Sequence, residues 1–121
     1  MTIRRLKTYA GSQGFTYQYY FVGKRPKLAS EGQVALGHEY IFDVTSDRKL
    51  TYAVSIFLPE IAAAEWAESH QRSLSDSEKY AAVKMRLFRA FDEPGELQAQ
   101  GRELVIDVRA LEESLSSLGV D

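Results

Sequence analysis

Phe15 to Val22, FTYQYYFV, is eight residues without a charge and with apolar or aromatic side chains on both parities. In an extended backbone Phe15, Tyr17, Tyr19 and Phe21 point one way, and Tyr20 and Val22 the other. A strand lacking a clean polar side belongs inside a sheet. It is either covered on both faces or shows one aromatic face to a partner. The rest of the chain must supply strands to pair with it and helices to cover it.

The flanking segments do so. Ile3 to Tyr9 is expected to form a first strand, with Arg5, Lys7 and Tyr9 on one side. AGSQG then closes a hairpin, Gly11 and Gly14 being expected to take the positive φ that a short loop needs. The aromatic strand ends at Gly23. Lys24 to His38, KRPKLASEGQVALGH, lacks periodicity and holds Pro26, Gly32 and Gly37, so it reads as a long loop. Glu39 to Thr45 alternates, with Tyr40, Phe42 and Val44 facing one side. Ser46-Asp47-Arg48-Lys49 is a polar turn, and Leu50 to Leu58 returns with Tyr52, Val54, Ile56 and Leu58 inward.

Two N-terminal hairpins thus make a four-stranded antiparallel sheet, and the second half carries its cover. PEIAAAEWAESH starts a helix at Pro59, with Trp66 to anchor it. Ser75 and Glu78 fit a capping box opening a longer helix, which Pro94-Gly95 ends. Its face holds Tyr80, Val83, Leu87 and Phe91, with Lys79, Arg86 and Arg89 opposite. Glu103 to Ile106 is a short extra strand. Asp107 caps a last helix with the stripe Val108, Leu111, Leu115 and Leu118, which Gly119 stops. The fold class is α+β, order ββββααβα, with two to three helices on the sheet, in a single domain over residues 1–121.

Composition limits the function classes. The chain has no cysteine, which removes disulfides, thiol nucleophiles and thiolate metal sites together. The N-terminal stretch has no apolar leader, and the longest nearly uncharged run, Leu50 to Pro59, is far below the ~20 residues of a membrane span. A cytoplasmic protein without membrane contact is expected. The net charge of −2 conceals an asymmetry: residues 1–30 hold six basic residues and no acid, while all 17 acids lie after them. Such polarity marks an anion-binding face, or a basic edge that attracts the acidic remainder or a second copy.

Catalytic signatures are thin. His38 and His70 both fall in expected loops, and neither stands beside a strained-turn serine. Glu39, Asp43 and Asp47 share a strand parity, but residues four apart on a strand are ~13 Å apart, too far for one ion. Neither phosphate-cradling glycine motif occurs. Lys84, between Tyr80 and Phe88, is a candidate amine nucleophile or anion anchor, though a lysine there more often buries its stem and leads its ammonium out.

One constellation stands out, the basic first strand beside the aromatic second. Arg5, Lys7, Tyr9, Tyr17, Tyr19 and Phe21, with Lys24 and Arg25 beyond, form the candidate interaction surface. Positive charge beside aromatic platforms suits single-stranded nucleic acid. Alternating aromatics are equally the inside of a sheet under helices, and that reading weighs more. The expectation is therefore a non-enzymatic interaction or binding module that partners itself or another protein and takes no cofactor and no metal. Nucleic-acid binding through the hairpin is the second reading, and a small enzyme using Lys84, a histidine or a carboxylate the third.

Overall fold

The structure, a computed structural model, describes residues 6–29, 34–93 and 103–120. Five strands form one sheet in the order β1-β2-β3-β4-β5. They are β1 (Lys7–Ala10), β2 (Thr16–Leu28), β3 (Ala35–Thr45), β4 (Tyr52–Pro59) and β5 (Glu103–Val105). The first four pair antiparallel in sequence order, and β5 joins β4 in parallel. The helices are α1 (Glu60–His70), α2 (Asp76–Asp92) and α3 (Val108–Ser117). The architecture is the expected α+β one in the expected order.

All three helices lie on one side of the sheet, because only one parity of the strands is apolar throughout. Tyr17 and Tyr19 of β2, Phe42 and Val44 of β3, and Val54 and Ile56 of β4 are buried there with Trp66, Val83, Leu87, Phe91, Leu111 and Leu115. The sheet is therefore covered once, and its second face stays open. Packed interiors of this kind stabilise by about 25 cal/mol per Å² of apolar surface removed from water.

Local signals are met where side chains satisfy orphan backbone groups. Ser75 accepts the Glu78 N–H while the Glu78 carboxylate accepts the Ser75 N–H, a complete capping box. Asp107 accepts the Ala110 N–H at the start of α3. In the β3–β4 turn the Asp47 carboxylate takes the N–H groups of Lys49 and Leu50, which holds its pKa below the ordinary value.

Four expectations need correction. The segment 24–38 is not one long loop: β2 runs on to Leu28 and β3 begins at Ala35, so the strands have 13 and 11 residues against the eight of Phe15 to Val22 and the seven of Glu39 to Thr45. Of the two hairpin glycines only Gly14 takes a positive φ, 92°. Gly11 is required for a different reason, since a Cβ there would stand 2.6 Å from the Phe91 carbonyl oxygen. Leu118 is exposed, and Val120 folds back instead, its N–H reaching the Leu115 carbonyl at 2.8 Å. Arg86 does not face water but lies half-buried, its Nε donating to the Val105 carbonyl at 3.3 Å. The first strand is seen from Lys7, and the expected Ile3 to Arg5 and Pro94-Gly95 lie outside the described residues.

Candidate interaction surface

The aromatic half of the expected surface is occupied by α2. Tyr17 stacks on Phe91 with centroids 4.3 Å apart, and Tyr9 stacks on Phe88 at 4.6 Å. Tyr19 meets Phe88 edge-on at 5.7 Å, and burial pushes its hydroxyl pKa up. The Tyr9 hydroxyl donates to Asp92 at 2.7 Å, and that bond, before any burial effect, raises its pKa to about 12. These rings are core, as the weightier of the two readings had it. Phe21 lies at the border, 36% exposed against Tyr80 and Phe42.

The basic half is different. Lys7, Lys24 and Arg25 are exposed, with Lys27 beyond them, and Arg5 lies outside the described residues. Among the described residues β1 pairs with Thr16 to Tyr19 only, so β2 out to Leu28 has β3 as its one strand neighbour. An open strand edge invites another strand. This one carries the usual deterrents: a register shift between Phe21 and Gly23, three cations, and Pro26, which has no N–H. Sheet-to-sheet addition is therefore discouraged along β2, and contact there must be made by side chains.

The open face of the sheet is knit by its own polar pairs. The Tyr20 hydroxyl donates to Asp43 at 2.7 Å. Glu39 accepts from Ser55 at 2.8 Å and from Arg25 at 3.3 Å, and the Ser55 bond leads in holding its pKa low. The Lys27 ammonium stands 5.0 Å over the Phe57 ring. Satisfied pairs across strands are what a solvated face looks like.

Four exposed apolar side chains share one end. Leu28 is 45% exposed, Val34 67% and Leu36 47%, where the β2–β3 hairpin runs past the last residue of β4. Gly37 pairs with Pro59, and α1 begins at the next residue, which brings Ile61, 69% exposed, to the same end. Ile61, Ala64, Glu65 and Glu68 are all exposed and recur at helical spacing, so they form the outward face of α1. Sequence reasoning missed this end. Val34, Leu36, His38 and Tyr40 do alternate, which could have extended β3 backwards, and the period of Ile61 to Glu68 could have been read as a face turned from the sheet.

The remaining chemical candidates are placed as follows. His38 lies in β3, and a small cleft of about 60 Å³ at the base of the hairpin brings it near Lys24, Tyr40, Glu60 and Asp76. His70 ends α1, stacked on Trp66 at 4.1 Å, with Nε2 and the Glu112 carboxylate 2.7 Å apart, so it ties α1 to α3. The Lys84 ammonium stands 5.6 Å from the Tyr80 ring centre. A wider cleft of about 600 Å³ has Arg86, Arg89 and Arg109 in its wall, but Glu93, Asp107 and Glu113 share that wall and match their charge. Among the described residues no three His, Asp or Glu side chains gather as a metal site, and no helix is long and apolar enough to cross a membrane.

No family model, curated protein or solved structure matches this chain.

Proposed function

We propose that this protein is an interaction module whose working surface is the end formed by the β2–β3 hairpin and the start of α1. The observation that carries the reading is the grouping of Leu28, Val34, Leu36 and Ile61, each at least 45% exposed, at one pole of a molecule whose other large apolar side chains are mostly inside. Isolated exposed apolar residues are ordinary, whereas a grouped set rimmed by charge marks a protein contact. The partner is another polypeptide, and a second copy of this chain satisfies the requirement.

The nucleic-acid reading has lost its stacking surface to α2, since the rings of Tyr9, Tyr17 and Tyr19 lie against Phe88 and Phe91. What remains for it is charge alone. The enzyme reading rests on side chains that hold structural contacts, the His70–Glu112 pair above all.

Sedimentation velocity over a concentration series tests the proposal. A species heavier than 13.7 kDa, reduced when Leu36 is changed to Asp, is the expected result. A monomer at every concentration, unaltered by that change, would count against it.

A further inference from the structure

Where β3 passes beneath the start of α1, the helix-covered side of the sheet turns polar. The register sets Lys24 opposite Tyr40 and Leu58 opposite His38, and Tyr40 and Leu58 are buried on that side. Residues facing each other across strands share a face, so Lys24 and His38 lie there too. Glu60 of α1 with Asp76 and Lys79 of α2 complete the wall of the cleft of about 60 Å³ at this point. Glu60, Ala63 and Lys79 also border an open groove of about 310 Å³ that continues between the two helices along Ala64, Ala67 and Leu74.

Three polar groups of this wall are left over. Tyr40 is 3% exposed, and its hydroxyl has no hydrogen-bond partner among the described residues. Burial first, then the Asp76 and Glu60 carboxylates, push its pKa up, so the hydroxyl stands on the cleft side and stays a protonated donor. A nearly buried donor of this kind calls for an acceptor. Lys79 has no carboxylate in salt-bridge range, and Glu60 no cation, among the described residues. Lys24 and Asp76 are already engaged with each other at 3.9 Å, and the Lys24 ammonium stands 5.8 Å from the Tyr40 ring centre. The helix α1 starts in the same wall with no side-chain cap at Pro59.

We infer that this cleft binds a free α-amino acid with an apolar side chain. The leftover charges are one of each sign, and a ligand with both a carboxylate and an ammonium satisfies them together. A plain anion would leave Glu60 facing it, and a plain cation would meet Lys79. The carboxylate pairs with the Lys79 ammonium and accepts the Tyr40 O–H, beside the uncapped start of α1. The ammonium donates to Glu60. The cleft is large enough for this charged head alone, and the side chain runs on into the groove, where alanines leave it room against an apolar wall. The site does not depend on the exposed apolar pole.

Calorimetric titration of the full chain with L-alanine, L-valine and L-leucine in turn tests the assignment. At least one should bind saturably at one site per chain. For leucine, 4-methylpentanoate lacks the ammonium and 3-methylbutylamine lacks the carboxylate, and each should bind about tenfold or more weakly. Tyr40→Phe keeps the ring and removes the donor, and Lys79→Met keeps the stem and removes the charge. Each should weaken binding about tenfold while the circular dichroism spectrum stays that of the wild type.

No saturable binding of any of the three would overturn the inference. So would equal binding of 4-methylpentanoate, which would show a site for carboxylates in general. Amino-acid binding indifferent to both substitutions would place the ligand elsewhere and overturn it as well.

Discussion

Tyr9 and Asp92 join the two ends of the fold's main packing contact, and their shared proton makes the joint sensitive to pH. Asp92 also accepts the Ser12 N–H at 2.9 Å, so one carboxylate fixes both the hairpin loop and the end of α2. Tyr9 has its pKa raised to about 12 in the folded chain against the ordinary 10.0. Between those values the unfolded chain has lost the proton that the folded chain still holds, so stability falls as pH rises through that window. Asp92 has a lowered pKa, chiefly through the Tyr9 bond, so its contribution is present at neutral pH and lost in acid. Tyr9→Phe should cost about 1 kcal/mol at pH 7 and flatten the alkaline fall, as read by urea unfolding at a series of pH values. Gly11→Ala should lower the melting temperature, since its Cβ would press on the Phe91 carbonyl oxygen from 2.6 Å and neither backbone can give way cheaply.

At the scale of elements, α2 does most to close the core, and its start is held by more than its cap. Arg72 makes a two-pronged pair with Glu78, at 3.0 and 2.8 Å, while Glu78 completes the box with Ser75. The Arg72 bond leads in lowering the Glu78 pKa to about 2. The stability it lends is full above the ordinary value of 4.5 and drains as pH falls toward 2, so Glu78→Gln should reduce the acid sensitivity of thermal unfolding. Ser75→Ala should cost about 1 kcal/mol. Phe91→Ala, which removes the ring stacked on Tyr17, should cost about 3–5 kcal/mol and is best read by calorimetry.

The elements themselves were largely legible in the sequence because binary patterning and capping agree over them. Tyr52, Val54, Ile56 and Leu58 alternate and are buried; Val83, Leu87 and Phe91 repeat at helical spacing and are buried. The extension of the β2–β3 hairpin was not legible. Pro26 and Gly37 argue locally for a break, yet an edge strand tolerates the proline, and β3 keeps its pairing past Gly37. Tertiary pairing overrode local propensity there, and the candidate surface moved with it from the rings to the far end of the hairpin.

At the scale of the molecule, helices on one face leave an open sheet face, the β2 edge and a pole among the surfaces that the described residues offer. The first is stitched by Tyr20–Asp43 and Ser55–Glu39–Arg25, and the second is guarded by charge and proline. The third groups Leu28, Val34, Leu36 and Ile61 in water, with Glu60 and Glu65 of α1, which have no cation in salt-bridge range among the described residues, nearby. A labelled single-stranded oligonucleotide should accordingly show little or no binding by fluorescence anisotropy at moderate salt, because the stacking rings are enclosed and charge alone is screened.

The most direct test of the central claim is a dilution series of amide nitrogen–proton NMR spectra. Signals of Leu28, Val34, Leu36, Ile61 and Glu65 should shift together as the protein is diluted, while those of Tyr20, Ile41 and Phe57 on the open sheet face stay put. Movement confined to the open face, or spectra independent of concentration with the tumbling of a 13.7 kDa monomer, would contradict it.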